Sequence, residues 1–415
     1  MDVRTRLNAE QKNGIFFLLL SKAFERIAFY MVMAILMQYL TNGIGVEAKT
    51  AGIQYSLFYG MFVVGSLFSG WIGDVCDRIK FVKLGFLMMI VMYLLFVFIP
   101  NVNWLVVMVL LIMGFGHAII TPNQIVFLGN IYNEQGKEIK ALPGFIWYSI
   151  IVSVAAMLAA FLANVLKNQL GYLAVFIAAF VFAGLALMCF LMFKKAYRKL
   201  DLVAEQKEDQ TEVSIRRINK LILVAMISIG VLIRFVLNQK NLSFTFAMRD
   251  YLPNSIDLSW FTDGLLPYLS IMFLLIFLFV VSRLKRMNWK VIFNFILLGI
   301  AICVLACTLV LGYEPLSNII SGNVVFLNVM IMIVLSDSLL SSVMFYSVYR
   351  SSPLKHKGLF QGFSFLIVGL SSYIIILGVK MYENIGATVS FLILMGIMLA
   401  SGVLMFGVKK SIGKE

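Results

Sequence analysis

The chain has 415 residues, 61% of them hydrophobic and only 13% charged, with a mean hydropathy of +0.96 and a formal net charge of +14. A soluble domain carries about 25% charged residues, so this composition excludes an ordinary globular domain. Apolar stretches of about 20 residues recur along the whole chain, each long enough to cross a hydrocarbon layer of roughly 30 Å as a helix.

A segment in lipid has to satisfy its own backbone polar groups, which leaves helices or closed barrels. Barrel strands alternate in polarity over about ten residues, and these stretches are too long and too uniformly apolar for that. The excess of basic residues would suggest nucleic acid in a soluble protein. Here Lys and Arg cluster at the ends of apolar segments, as topology determinants do, and no nucleic-acid partner is expected. Cys76, Cys189, Cys303 and Cys307 form no CxxC pair, so neither a disulfide framework nor a metal site follows. The first apolar run starts near Asn13 and lacks a small-residue cleavage site. It reads as a membrane helix rather than a cleaved leader.

Twelve spans are predicted, at 13–40, 51–73, 81–99, 103–131, 141–166, 170–193, 218–239, 260–282, 289–312, 321–349, 357–381 and 384–408. The first carries Lys22, Glu25 and Arg26 at i, i+3 and i+4, hence on one helix face. Charges at mid-bilayer cost about 2.5–3.5 kcal/mol each even on lenient scales and usually mark function. This face can hold an anion or an acidic partner, or it can be an internal ion-pair cluster that locks helices together. The second span places Gly60, Gly65 and Gly70 where they permit close helix approach. The fourth holds His117, for which a hydrogen-bonded packing role outweighs a proton relay, and it is interrupted by Gly114, Gly116 and Pro122.

Residues 194–217 form the one long charged stretch, a linker between an N-terminal six-helix bundle (1–193) and a C-terminal one (218–415), as in transporters built from paired repeats. The seventh span contains Arg234. The tenth contains Asp337, which could bind a cationic group, take up a proton, or pair with Arg26, Lys22 or Arg234. Of the 34 Lys and Arg residues, Lys49, Lys167, Lys240, Arg249 and Lys380 fall in the loops on one side of the membrane, Lys22, Arg26 and Arg234 within spans, and the rest on the other side. That bias puts both termini and the linker in the cytoplasm. Trp104 and Trp260 fall at the outer interface, Trp71 and Trp289 near the inner one. There is no HExxH and no GxxxxGK[ST], so neither metalloenzyme chemistry nor direct ATP use is expected, nor any cofactor.

Two stretches together resemble the proton-dependent oligopeptide transporter (POT) family within the major facilitator superfamily. Glu25-Arg26-Ile27-Ala28-Phe29-Tyr30 is similar to the tail of the family's ExxERFxYY on helix one. Gly116 to Asn123, with Thr121-Pro122-Asn123 at its end, followed by Gly129-Asn130-Ile131-Tyr132, is similar to GxGxxKPN…GxxY on helix four. Gly73-Asp74-Val75-Cys76-Asp77-Arg78 matches the front of the superfamily's GxxxDR loop, with Lys80 and Lys83 in place of its trailing basic residues. Asp337 with Ser341, Ser342 and Pro353 resembles ExxxSP…P on helix ten. Asn238-Gln239 with Phe246-Ala247 is only faintly similar to the helix-seven motif. Lys22 replaces the first Glu of ExxER, Thr121 replaces the helix-four Lys, and helix seven shows no Glu.

The resemblance implies an all-α membrane protein of the major facilitator fold, twelve transmembrane helices in two six-helix bundles. It implies a secondary transporter, not an enzyme, moving a small zwitterionic solute (a short peptide or amino-acid-like compound) by alternating access with proton coupling. The expected substrate-binding residues are Arg26, Lys22, Tyr30, Asn123, Thr121, Tyr148, Asp337 and Ser341. Arg26 and Lys22 would hold a carboxylate and Asp337 the amino end. Glu25 and Asp337 would couple protons, and Asp77, Arg78 and Pro122 would serve gating. The partners are the solute, protons and the lipid bilayer, the chain being a monomer in a cell membrane, the cytoplasmic membrane of a bacterium. A proton-driven exporter of drugs, peptides or metabolites is the alternative, and a non-transporting receptor with the same fold a more distant one.

Overall fold

The computed structural model describes residues 9–98, 102–132, 141–208, 217–241, 243–244, 265–284, 287–316 and 322–412. Its elements are α-helices and short 3-10 or π turns. They are α1 (Ala9–Gln38), α2 (Ala48–Val75), α3 (Arg78–Phe98), α4 (Asn103–Tyr132), α5 (Leu142–Leu170), α6 (Tyr172–Glu208) and α7 (Arg217–Asn238). They continue with α8 (Leu266–Arg283), α9 (Trp289–Leu316), α10 (Gly322–Ser351), α11 (Lys357–Tyr373) and α12 (Ile376–Ile412). Among the described residues, ten segments are long and apolar enough to cross a membrane.

The chain forms two units. Residues 1–214 with 353–366 make the first, and 215–352 with 367–415 the second. In the first, α1 packs on α5 and α6, α4 on α2 and α3, and α3 on α6. In the second, α7 packs on α12, α10 on α8 and α9, and α9 on α12. The pairings 1·6, 2·4, 3·4 and 3·6 therefore recur as 7·12, 8·10, 9·10 and 9·12, the signature of a duplicated six-helix repeat.

Within each unit the helices differ in depth. The apolar windows of α4 and α7 are each 61% buried, whereas those of α5 and α8 are 22% and 17% buried. Outward faces of α5 and α8 suit lipid, and α4 and α7 can carry polar side chains without exposing them to it. Close approach at α3–α4 rests on Gly85 and Gly116. A Cβ on Gly85 would lie 3.0 Å from the Gly116 carbonyl oxygen, and one on Gly116 3.1 Å from that of Gly85.

Several boundaries differ from the sequence reading. Helix α6 runs on to Glu208, into the expected linker, because residues 194–208 are rich in Lys, Leu, Ala and Glu and contain neither Gly nor Pro. Helix α8 begins at Leu266, with Pro267 in the first turn where its missing N–H costs nothing. The last two spans part at Gly386, whose φ of 79° is left-handed, rather than near residue 382. Helix α11 instead joins α12 through a hydrogen-bonded turn, Leu377 N–H donating to the Ile374 carbonyl at 3.0 Å. Arg249, Trp260 and the Phe246-Ala247 pair lie outside the described residues.

Candidate functional site

The helical repeat stacks Lys22, Glu25 and Arg26 on one face of α1, and all three are buried. Glu25 is the hub. Its Oε2 accepts from Lys22 Nζ at 2.9 Å and Arg26 Nε at 2.7 Å, and its Oε1 from Arg26 Nη2 at 3.0 Å. The fourth contact comes from α4, where His117 Nδ1 lies 2.7 Å from Oε1. Since an ionised carboxylate only accepts, His117 donates from Nδ1, leaving Nε2 as the acceptor for the Tyr93 hydroxyl of α3 at 2.7 Å. Tyr93 and His117 are both fully buried, and the His117 ring meets Phe29 edge-on at 4.7 Å.

Thr121 extends the cluster. Its hydroxyl accepts from Arg26 Nη2 at 2.5 Å and Lys22 Nζ at 3.2 Å, and donates to the His117 carbonyl at 3.0 Å. Arg26 also packs its guanidinium over Phe29 at 4.7 Å, Phe62 at 5.4 Å and Tyr30 at 5.9 Å. Lys22 Nζ stands 5.5 Å over the ring of Tyr148 on α5, whose buried hydroxyl has no hydrogen-bond partner among the described residues. Desolvated cation–π contacts of this sort contribute about 2 kcal/mol each. Lys22, Arg26, Tyr30, Thr121 and Tyr148 thus converge around Glu25.

Pro122 and Asn123 serve a different purpose. Proline at 122 has no N–H for the carbonyl of Ala118, four residues back. The Ser69 hydroxyl of α2 fills that place with a 2.5 Å bond to Ala118 O. Asn123 Nδ2 donates to Ile119 O at 2.7 Å and to Ser69 O at 3.3 Å. Asn123 therefore faces the α2–α4 seam rather than the Glu25 cluster, with Oδ1 buried and unbonded among the described residues.

At the end of α2 it is Asp74, and not Asp77, whose carboxylate makes the long-range contacts. The Asp74 carboxylate accepts the backbone N–H groups of Gly358 and Leu359, each at 2.8 Å, at the start of α11, and Arg78 Nη2 at 2.5 Å. A carboxylate there satisfies orphan donors and the positive end of the helix dipole. Asp77 is half exposed, accepts from Lys80 N–H at 3.1 Å at the start of α3, and lies 3.5 Å from the exposed Lys80 ammonium.

In the second unit Asp337 is held by two cations. Oδ1 accepts from Arg234 Nη1 of α7 at 2.9 Å and from Ser341 Oγ at 2.9 Å, and Oδ2 from Lys240 Nζ at 2.5 Å. Lys240 sits in the turn Gln239–Asn241 just after α7. The sequence reading placed it in a loop and missed it. The available signal was a lone outer-side lysine six residues beyond an intramembrane arginine. Cys303 and Cys307 are buried in α9.

A sequence profile described as Major Facilitator Superfamily matches residues 18–375. The chain belongs to that superfamily, and is a multi-pass membrane transport protein rather than an enzyme. No curated protein sequence matches it. Among solved structures, the POT family transporter PepTSo aligns with a TM-score of 0.63 at 14% identity, covering 97% of this chain and 98% of that one. A POT family transporter in complex with 5-aminolevulinic acid aligns with a TM-score of 0.63 at 18% identity over 96% of each chain. The human organic anion transporter MFSD10 (TETRAN) aligns with a TM-score of 0.67 at 13% identity, covering 95% of this chain and 99% of that one. At such identities the likeness is one of fold.

Proposed function

We propose that this chain is a divergent POT-like secondary transporter that moves a small carboxylate-bearing, peptide- or amino-acid-like solute by alternating access, coupled to protons through Glu25. Its helices cross the membrane twelve times, with both termini cytoplasmic, and the chain works as a monomer. The observation that carries the reading is the buried set Lys22–Glu25–Arg26–His117. A proton arriving on Glu25 removes the counter-ion of Lys22 and Arg26, and a solute carboxylate then takes its place against the same two cations. His117 and Tyr93 provide the hydrogen-bonded continuation along which the proton is held within the bundle. One charge crossing 100 mV supplies about 2.3 kcal/mol, enough to accumulate solute with one or two protons. The fold neighbours described with 5-aminolevulinic acid or as an organic anion transporter support a small carboxylate as cargo. Arg78 and Pro122, with Asp74 in place of Asp77, are assigned to the conformational cycle.

Proteoliposomes with an imposed pH gradient test this reading. The native chain should accumulate labelled dipeptide or 5-aminolevulinate, and Glu25→Gln should abolish gradient-driven accumulation. Undiminished proton-driven accumulation by Glu25→Gln would sink the mechanism.

A further inference from the structure

We infer that the α9–α12 seam of the second unit is a binding site for an anionic phospholipid, its phosphodiester held by Lys290, Lys409 and Lys410 and its acyl chains laid along the outward faces of the two helices. The site involves neither the Glu25 nor the Asp337 cluster and does not depend on which solute the chain moves. Helices α9 and α12 pack on each other within one unit. Their ends are tied by Lys409 Nζ, which donates to Asn294 Oδ1 at 2.6 Å. One turn before Asn294, on the same face of α9, stands Lys290, and Lys410 adjoins Lys409 in the last turn of α12. Further along the seam a Cβ on Gly402 would lie 3.3 Å from Ile300 Cγ2, so the helices stay close there.

Three ammonium groups therefore gather around one amide. Among the described residues Lys290 and Lys410 have no acidic partner, and Lys409 has only the Asn294 amide. By contrast the exposed Lys80 of α3 stands 3.5 Å from Asp77. Lys409 and Lys410 suit the negative end of the α12 dipole. Lys290 sits in the first turn of α9, at the positive end, where a cation is unfavourable. An anion at the same place is favoured by the helix end and by the lysines together. Basic residues orient helices from anywhere near the membrane surface, and their convergence on one seam is what a shared ligand needs.

The chemistry of the ligand follows from what lies beyond the lysines. On α9, Leu298 and then Leu305 continue the face that begins with Lys290 and Asn294, and on α12 Val403 and Phe406 lie two turns and one turn before Lys410. All four of these apolar side chains are exposed. A headgroup on the lysines thus has apolar tracks for its chains on the same two helices, and Trp289, beside Lys290, is a residue type that sits at headgroup depth. Lysine binds a phosphate oxygen as a point charge. A free phosphate would leave the apolar tracks unused. A second copy of this chain in a two-fold contact would set lysine against lysine. A soluble acidic protein would meet side chains that lipid already covers.

The test uses the purified full-length chain in detergent, with dioleoyl-phosphatidylglycerol and dioleoyl-phosphatidylcholine as probes. The two share their chains and their phosphodiester, but the second adds a choline cation. Retained lipid is counted by native mass spectrometry, and affinity is read from thermal shifts. Phosphatidylglycerol should bind about tenfold or more tightly than phosphatidylcholine. Lys290→Gln, Lys409→Gln and Lys410→Gln combined should erase that preference, whereas Lys80→Gln should keep it. Lys290→Glu alone, at an exposed position that leaves the Lys409–Asn294 bond intact, should lower it about fivefold or more. Glycerophosphoglycerol, the headgroup without chains, should compete about tenfold or more weakly than the whole lipid. Equal binding of the two lipids by the native chain would overturn the site. So would an undiminished preference in Lys290→Glu or in the triple variant, or an equal loss in Lys80→Gln. Inorganic phosphate or the bare headgroup competing as well as the lipid would make this a free-phosphate site and overturn the lipid assignment.

Discussion

The clusters around Glu25 and Asp337 use the same three side-chain types, one acid with a lysine and an arginine, yet they are built in opposite ways. At Glu25 both cations come from the same helix at adjoining positions, and burial is complete. At Asp337 the cations come from α7 and the turn beyond it, and the acid side chain keeps 22% exposure. A cluster written into one helix exists as soon as that helix forms. One assembled from two helices exists only when they pack. The first should tolerate no loss of its acid, and the second should yield in proportion to its partial solvation.

Glu25→Gln strands Lys22 and Arg26 without a buried counter-ion. It should cost about 3–5 kcal/mol, seen as a large drop in melting temperature in detergent or as failure to accumulate in the membrane. Asp337→Asn removes the acid from a partly hydrated cluster and should cost about 1.5–3 kcal/mol. Equal losses in the two variants would erase the contrast. Asp74→Ala frees two helix-terminal N–H groups and leaves Arg78 unpaired, for about 1–2 kcal/mol. Asp77→Asn should lie within about 0.5 kcal/mol of the native chain, because its ion pair is exposed, and a larger loss in chemical denaturation would return Asp77 to a role at this loop. Tyr93→Phe, the mildest change, removes one hydrogen bond from His117 and should cost about 1 kcal/mol. It should nonetheless move the pH profile of uptake, and an unmoved profile would reduce His117 and Tyr93 to packing.

Much of this was legible along the chain. Twenty-residue apolar runs mark their helices whatever packs around them, and i, i+3, i+4 spacing is enough to unite Lys22, Glu25 and Arg26. His117 was visible only as a lone intramembrane histidine. Its contact with Glu25 depends on how α4 lies against α1, which no local pattern encodes. Lys240 was hidden for the same reason: a lysine just past a helix end reads as solvated until α10 supplies its acid. Asp74 was passed over because the spacing of Gly73 and Asp77 fitted the family loop equally well. Only the start of α11, 284 positions away in sequence, distinguishes the two acids. Asn123 fitted the helix-four motif, but that its amide meets backbone carbonyls of α4 and α2 depends on how those helices pack.

The Ser69 bond to the Ala118 carbonyl has a bearing on how the sequence can change over time. Its need arises from Pro122, so substitutions at the two positions are energetically coupled although they sit on different helices. A descendant that lost Ser69 first would carry an orphaned carbonyl at a fully buried position of α4. One that lost Pro122 first would regain the helical N–H and could then discard the hydroxyl freely. The order of the two substitutions, more than their identity, decides whether such a lineage passes through a crippled ancestor.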